Sequence, residues 1–161
     1  MFLRNVEEND CHLLWEWAND LVTRQMSFNS EPISWKTHVE WFKGKIRDPK
    51  CFIFIAFQQD THIPIGQIRF ELIDHENADI SIVVAPNMRS YGYGSQLILK
   101  GVSQLFLSTP IHVVHAYIRP ENSSSLKVFA KVGFSQVGFQ NIKGIESIHM
   151  CYMQSPLSKN G

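Results

Sequence analysis

A short polar segment between two apolar stretches carries the residues best suited to chemistry. It reads PNMRSYGYGSQLI over residues 86–98 and contains the pattern Arg89-x-x-Gly92-x-Gly94. A helix that begins in such a loop presents unpaired backbone N–H groups and the positive end of its dipole. The glycines let the backbone approach a ligand, and the arginine can add a charge-assisted hydrogen bond. The pattern therefore predicts an anion site that suits a pyrophosphate.

The charge around this loop favours the same kind of ligand. Residues 80–120 include no Asp or Glu, and their formal charges are Arg89, Lys100 and Arg119. Two well-known nucleotide loops do not fit. A P-loop requires Lys followed by Ser or Thr directly after the glycines, and neither dipeptide follows them here. A dinucleotide fingerprint requires a third glycine where Leu97 stands, and an acid about 20 residues later.

Composition and length exclude several classes of protein. The chain has 161 residues, 44% of them hydrophobic, and a formal net charge of zero. These values predict one globular domain over residues 1–154, followed by a flexible tail at residues 155–161. A zero net charge argues against a nucleic-acid partner. No apolar run is long enough to span a bilayer and the first residues lack a signal-peptide core, so we expect a cytoplasmic protein without a membrane partner.

The cysteines and histidines do not predict a metal site. Cys11, Cys51 and Cys151 are far apart, and no CxxC pair is present. Neither a disulfide framework nor a zinc knuckle is therefore expected. His112 and His115 lie three residues apart in a strand-like run, where their side chains point to opposite faces. We predict that the protein holds no metal.

Hydrophobic periodicity predicts the element order β-α-α-β-β-β-α-β-α-β-β. The strands alternate or are apolar on both faces, and the helices follow capping residues such as Ser34. Residues 19–33 are polar and predicted to be irregular. Because hairpins alternate with helical crossovers, we expect an α/β (α+β) fold with a mixed, mostly antiparallel sheet of about seven strands and about four helices.

Two segments carry a family resemblance. The sequence VVAPNMRSYGYGSQLI resembles the acetyl-CoA-binding motif of the GNAT superfamily of N-acetyltransferases. The sequence RPENSSSLKVFAKVGF, residues 119–134, resembles the next motif of that family, an Asn at a helix start followed by a helix that ends in Gly-Phe. Both motifs stand in the family's order and separation, and with the element order the resemblance covers nearly the whole chain. It implies a GNAT-like twisted sheet and an acetyl-CoA-dependent N-acetyltransferase.

The resemblance also implies which residues bind the cofactor. The backbone of Ile82, Val83 and Val84 would pair with the pantetheine arm as if the arm were an added strand. Asn122 would contact the cofactor near its thioester end or arm. Phe129 would lie beside the cofactor at the position where many relatives have a tyrosine that protonates the leaving thiolate. The residues implied at the pyrophosphate are Arg89, Ser90, Tyr91, Gly92, Tyr93, Gly94 and Ser95.

Acetyl transfer requires a neutral amine, a polarised thioester and a proton for the thiolate. Asp79 matches a position where many relatives carry an acid, and it could accept the amine proton. Ser81 follows two residues later on the same face and could relay a proton or bind substrate. Because Phe129 has no proton to give, the proton for the thiolate could come from Tyr117 or from water. No cysteine lies in either motif, which favours direct attack by the amine.

The acceptor of the acetyl group is predicted from a less specific resemblance. Residues 15–42 are similar to the amino-terminal part of the pseudaminic-acid type of sugar-nucleotide N-acetyltransferases, which implies a nucleotide-linked amino sugar as the small-molecule amine substrate. Arg24, which could meet a diphosphate, His38 and Glu71 are the predicted substrate residues. Two alternatives stay open: an acetyltransferase of protein N-termini or ribosomal proteins, and a non-catalytic acyl-CoA-binding module. A homodimer stays open as well.

Overall fold

In the part of the chain that the structure describes, seven strands form one mixed sheet in the order β1-β2-β3-β4-β5-β7-β6. The computed structural model describes residues 1–155. Every neighbouring pair of strands is antiparallel except β4 and β5, which are parallel. The predicted class, strand number and mixed sheet are therefore confirmed. The strands are β1 Phe2–Asn5, β2 Cys51–Phe57, β3 Pro64–Leu72, β4 Asn77–Val84, β5 Val113–Ile118, β6 Ser135–Ile142 and β7 Ile145–Met153.

Within residues 1–155, five α-helices accompany the sheet, one more than predicted. They are α1 Cys11–Ala18, α2 Leu21–Met26, α3 Trp35–Arg47, α4 Tyr93–Ser108 and α5 Ser123–Lys131. The additional helix is α2, inside the stretch predicted to be irregular. Asp20 caps it by accepting a hydrogen bond from the Thr23 amide, but the helix has only six residues and none is buried. It therefore lacks the apolar stripe from which helices are recognised in a sequence.

The two faces of the sheet are covered differently. Helices α4 and α5 pack on one face, where the alternate apolar residues of β3, β4, β5 and β7 form the larger core. Helices α1 and α3 pack on the other face against Ile53 and Ile55 of β2. The residues of β3, β4, β5 and β7 that point to this second side are mostly polar. We call this group the polar face: Arg69, Glu71, Asp79, Ser81, His115, Tyr117, His149 and Cys151.

Several local signals act as the sequence predicts. Ser34 caps α3 by accepting from the Thr37 amide, and Gly133 follows α5 with a left-handed φ of 105°. Among residues 1–155, no helix has both the length and the hydrophobicity that a membrane span requires. The tail predicted at residues 155–161 lies outside the described residues apart from Ser155.

The close contact between β3 and β4 depends on Gly66. A Cβ atom at this position would overlap the carbonyl oxygen of Val83 on β4. We expect Gly66→Ala to lower the free energy of unfolding by about 1–3 kcal/mol, because the backbone must shift to admit the methyl group. Urea denaturation measures this loss.

Gly44 provides a matched control for that measurement. It lies in the exposed interior of α3, and no neighbouring atom stands within 4 Å of the place that a Cβ atom would take. Alanine is the better helix former, so Gly44→Ala should raise the free energy of unfolding by about 0.5–1 kcal/mol. A neutral Gly66→Ala variant would contradict the close approach of the two strands.

Candidate active site

Strands β4 and β5 pair only at one end and then separate. The paired residues are Asn77 with Val113, Ala78 with Val114, and Asp79 with His115. Residues 80–84 continue β4 and pair with β3 on their other side, but they have no partner on β5. Ile82, Val83 and Val84 are half-buried along this opening. Their backbone groups therefore offer an edge to which an extended polar chain could bond.

The glycine loop lies at the wide end of this opening. Gly92 precedes α4 with a left-handed φ of 79°, and no side chain caps the first turn of that 16-residue helix. Ser90 is also left-handed, at 67°. The amides at the start of α4, in Tyr93, Gly94 and Ser95, consequently meet the requirement for an anion site.

Gly94 and the two tyrosines of the loop have separate roles. A Cβ atom on Gly94 would lie 3.3 Å from Val128 of α5, so the glycine allows the two helices to approach closely. The hydroxyl of Tyr93 accepts a hydrogen bond from Gln58. Tyr91 is 71% exposed, which leaves its ring available to a ligand.

Two arginines connect α2 to the sides of the opening. Arg89 donates from Nη2 to Asp20 at 2.7 Å and to Thr23 at 3.2 Å. Arg119, after β5, donates to the Ser27 carbonyl at 3.1 Å. Burial opposes ionisation of Asp20, but the hydrogen bonds from Arg89 and Thr23 outweigh it and hold the pKa of this carboxyl below its usual value.

The ion pair with Asp20 occupies one nitrogen of Arg89 and leaves two others for a ligand. Its Nε and Nη1 atoms donate to no group among residues 1–155, so they stay available to a phosphate while Nη2 bonds to Asp20. Asp20 also caps α2. The carboxylate therefore holds Arg89 and α2 together next to the loop.

Asn122 immediately precedes α5, and Phe129 lies within this helix, which packs beside α4. Asn122 caps α5 by accepting from the Ser125 amide through Oδ1, and its Nδ2 donates to no group among the described residues. Phe129 is 3% exposed and packs edge-on against Phe134 with ring centroids 4.9 Å apart. The asparagine thus keeps a donor for a ligand, and the phenylalanine contributes only apolar surface.

Asp79 lies at the point where β4 and β5 separate. Its Oδ1 atom is buried and has no hydrogen-bond partner among the described residues. Burial raises the pKa of Asp79 to about 6, and the negative charge of Glu71, its partner on β3, adds to the rise, which His149 partly opposes. A buried carboxylate of this kind is a stronger base than an ordinary aspartate.

The predicted catalytic residues Ser81 and Tyr117 lie on the same face as Asp79. Tyr117 stacks on His149 with ring centroids 4.7 Å apart. Burial, then the negative charges of Asp79 and Cys151, raise the pKa of Tyr117, so its phenol is protonated near neutral pH. Ser81 is exposed, and its Oγ lies 3.5 Å from Arg69.

Glu71 is part of a charged group beside Asp79. Its carboxylate pairs with Lys45 of α3 at 2.6 Å and with Arg69 at 3.4 Å. The guanidinium of Arg69 also lies over the ring of Trp41, 5.1 Å from its centroid. Glu71 therefore lies on the polar face opposite Asp79 and between two cations.

The structure gives Arg24 and His38 different roles from those predicted. Arg24 makes four hydrogen bonds within residues 18–31, to the carbonyls of Ala18, Asn29 and Glu31 and to Ser27. It shapes the loop after α2 and has little left for a diphosphate. His38 is 3% exposed and donates from Nε2 to the Cys11 carbonyl at 2.8 Å. It is a buried packing residue, which excludes direct contact with a substrate in this conformation.

The sequence patterns do not assign four polar residues to the site: Asp20, His115, His149 and Cys151. The alternation of side chains along a strand indicates part of this group. It puts His115 and Tyr117 on one face of β5, and His149 and Cys151 on one face of β7. Only the register joins them, since His115 lies opposite Cys151 and Tyr117 lies opposite His149. Register between strands separated by a helix and a third strand is not encoded in a local pattern.

A family model and curated relatives match this chain over most of its length. The model, described as an acetyltransferase (GNAT) domain, matches residues 1–135. A putative phosphinothricin acetyltransferase of Bacillus subtilis is 26% identical over 144 residues, which cover 86% of each chain. An uncharacterized protein of Methanocaldococcus jannaschii is 23% identical over 141 residues, covering 84% of this chain and 28% of that protein. The chain thus spans less than a third of the length of the second relative.

Solved structures share the fold. A spermidine N-acetyltransferase from Vibrio cholerae, in complex with CoA and spermine, superposes with a TM-score of 0.84 at 21% identity. The match covers 95% of this chain and 95% of the other. The architecture is therefore shared over nearly the full length of both proteins.

Proposed function

This chain belongs to the GNAT family of acetyltransferases, and on that premise we propose that it transfers the acetyl group of acetyl-CoA to a primary amine of a small polar molecule. The observation that carries the proposal is the position of Asp79. An unpaired carboxylate oxygen lies where β4 and β5 separate, and an uncapped helix start lies at the far end of the same opening. A base and an anion site thus flank one extended slot.

The residues along the slot fit the parts of CoA. The free amides at the start of α4 and the open donors of Arg89 suit the pyrophosphate. The unpaired edge of β4 suits the amide groups of the pantetheine arm, which can bond as a strand does. Asn122, at the start of the helix that follows β5, has a free amide donor that suits the pantetheine arm. These contacts would bring the thioester to the narrow end, next to Asp79.

The polar face can carry out the proton transfers. As the amine nitrogen bonds to the acetyl carbon, Asp79 accepts the proton that the nitrogen loses. The bond between carbon and sulfur breaks, and the thiolate takes a proton from Tyr117 or from water. Tyr117 suits this role because its phenol is protonated near neutral pH. Phe129 has no proton to supply, and its burial keeps it out of this exchange.

The acceptor that we propose first is a nucleotide-linked amino sugar, as the sequence resemblance implies. The half-exposed Trp35 offers a surface for stacking, and Arg69 and Lys45 are cations on the acceptor side of the sheet. Asp79 and Glu71 suit any acceptor that carries an ammonium group. Polyamines form a second candidate class, which the spermine complex of the Vibrio cholerae structure favours.

An acceptor panel tests this proposal. Release of free CoA thiol is measured with acetyl-CoA and, separately, amino-sugar nucleotides, spermidine and peptides with free N-termini. We expect turnover with small amines, highest with the amino-sugar nucleotides. Turnover confined to peptides would support the protein-acetylating alternative. CoA binding without turnover of any amine would contradict the enzyme and support a binding module.

A pH profile tests Asp79 as the base. Asp79→Asn should lower kcat by about 10²–10⁴-fold at neutral pH, because the amide cannot accept a proton. The ratio of the wild-type rate to the variant rate cancels the titration of the acceptor amine. This ratio should rise as the pH increases through about 6 and level off above it, since the carboxylate is protonated below its raised pKa.

Two variants control this measurement. Asp60→Asn removes a carboxylate from an exposed turn and should leave the rate unchanged. Glu71→Gln removes a charge that raises the pKa of Asp79. In this background, the ratio of the rates without and with Asp79→Asn should therefore rise at a lower pH. A rate ratio that is independent of pH would show that Asp79 is not the base.

A further inference from the structure

Two histidines and a cysteine converge on one point of the polar face. His115 Nδ1 lies 2.9 Å from His149 Nε2 and 3.0 Å from Cys151 Sγ, and His149 Nε2 lies 3.4 Å from the same sulfur. The three residues come from two paired strands, β5 and β7, both in the interior of the sheet. All three side chains are partly buried, so the group is positioned by the fold and still reachable.

The geometry points to a binding site for a divalent transition-metal ion, and we propose that His115, His149 and Cys151 bind Zn²⁺. Zn²⁺ prefers imidazole nitrogen and thiolate sulfur in tetrahedral sites. With its usual bond lengths, two nitrogen ligands stand about 3.4 Å apart, and a nitrogen and a sulfur stand about 3.5 Å apart. The three donor atoms therefore need to separate by only about half an ångström or less to hold the ion.

The residues behind His115 orient it for this role. Asp74 accepts two hydrogen bonds from the Asn77 Nδ2 atom, at 3.1 and 3.2 Å. The amide oxygen of Asn77 must then face His115 Nε2, at 2.8 Å. An amide oxygen only accepts, so Nε2 carries the proton, and the lone pair of Nδ1 points toward His149 and Cys151. Metal-binding histidines are commonly held by such a partner on the other ring nitrogen.

Binding would exchange protons for the ion in a balanced way. The Cys151 thiol loses one proton to solvent as its sulfur bonds to Zn²⁺. His149 moves its ring proton to Nδ1, so that Nε2 can bind through its lone pair. The described residues supply three donors, which leaves a fourth position to water or to a small ligand. The ion would stand beside Asp79, whose β4 position pairs with His115.

The prediction that the protein holds no metal rests on the distant spacing of the three cysteines and on the opposite faces of His112 and His115. His112 does not belong to the group. The ligands come instead from strands separated by α5 and β6, and none of the spacings in the sequence corresponds to a familiar zinc motif. The site exists through register alone, as His115 lies opposite Cys151.

Cobalt spectroscopy tests the site without acetyl-CoA or an amine, so the result does not depend on the proposed function. The full chain, freed of any polyhistidine tag and kept reduced, is titrated with Co²⁺. We expect one Co²⁺ per chain, visible bands of a tetrahedral ion and a thiolate-to-cobalt charge-transfer band. Zn²⁺ should displace the cobalt and abolish these bands.

Variants assign the ligands. Cys151→Ser should remove the charge-transfer band, and His149→Ala should weaken Co²⁺ binding by more than about tenfold. Cys51→Ser and His112→Ala are matched controls that should leave both properties unchanged. Circular dichroism shows that each variant is folded. Absence of the charge-transfer band from the wild-type protein, or its persistence in Cys151→Ser, would overturn the proposal.

Discussion

The other features of the site follow from the separation of β4 from β5. Three residue pairs join these parallel strands, and the last of them is Asp79 with His115. Beyond that pair, β4 keeps its hydrogen bonds to β3 and leaves its other edge open. A sheet normally satisfies both edges of an interior strand. The open edge therefore requires a partner, and an extended ligand between the strands can supply it.

Each neighbouring element adds to this slot. Helix α4 begins at its wide end without a side-chain cap, so the amides of its first turn stay free. Arg89 donates to Asp20 from one side of the slot, and Arg119 donates to the Ser27 carbonyl from the other. These two hydrogen bonds hold α2 beside the slot. At the narrow end, burial and Glu71 raise the pKa of Asp79 to about 6. The slot thus has an electropositive entrance and a basic end.

Local patterns predict most of the fold and the position of the glycine loop. Alternation indicates the faces of β3 and β4, and the glycine pattern locates the start of α4. Helix α2 could not be predicted because it buries no residue. The resemblance of residues 15–42 implies that Arg24 and His38 meet the substrate, whereas their environment decides their roles: carbonyls surround Arg24, and aromatic rings surround His38. The group of His115, His149 and Cys151 depends on the register of β5 and β7, which no local pattern contains.

The free amides at the start of α4 are proposed to hold the pyrophosphate of CoA. Calorimetric titration with CoA tests this contact on the wild-type chain and on Gly92→Val, which strains a left-handed position with a β-branched residue. Gly44→Ala is the control. We predict one CoA per chain in the wild type and the control, and an affinity weaker by about tenfold or more in Gly92→Val. No binding by the wild-type chain, or equal affinity in the folded Gly92→Val variant, would contradict it.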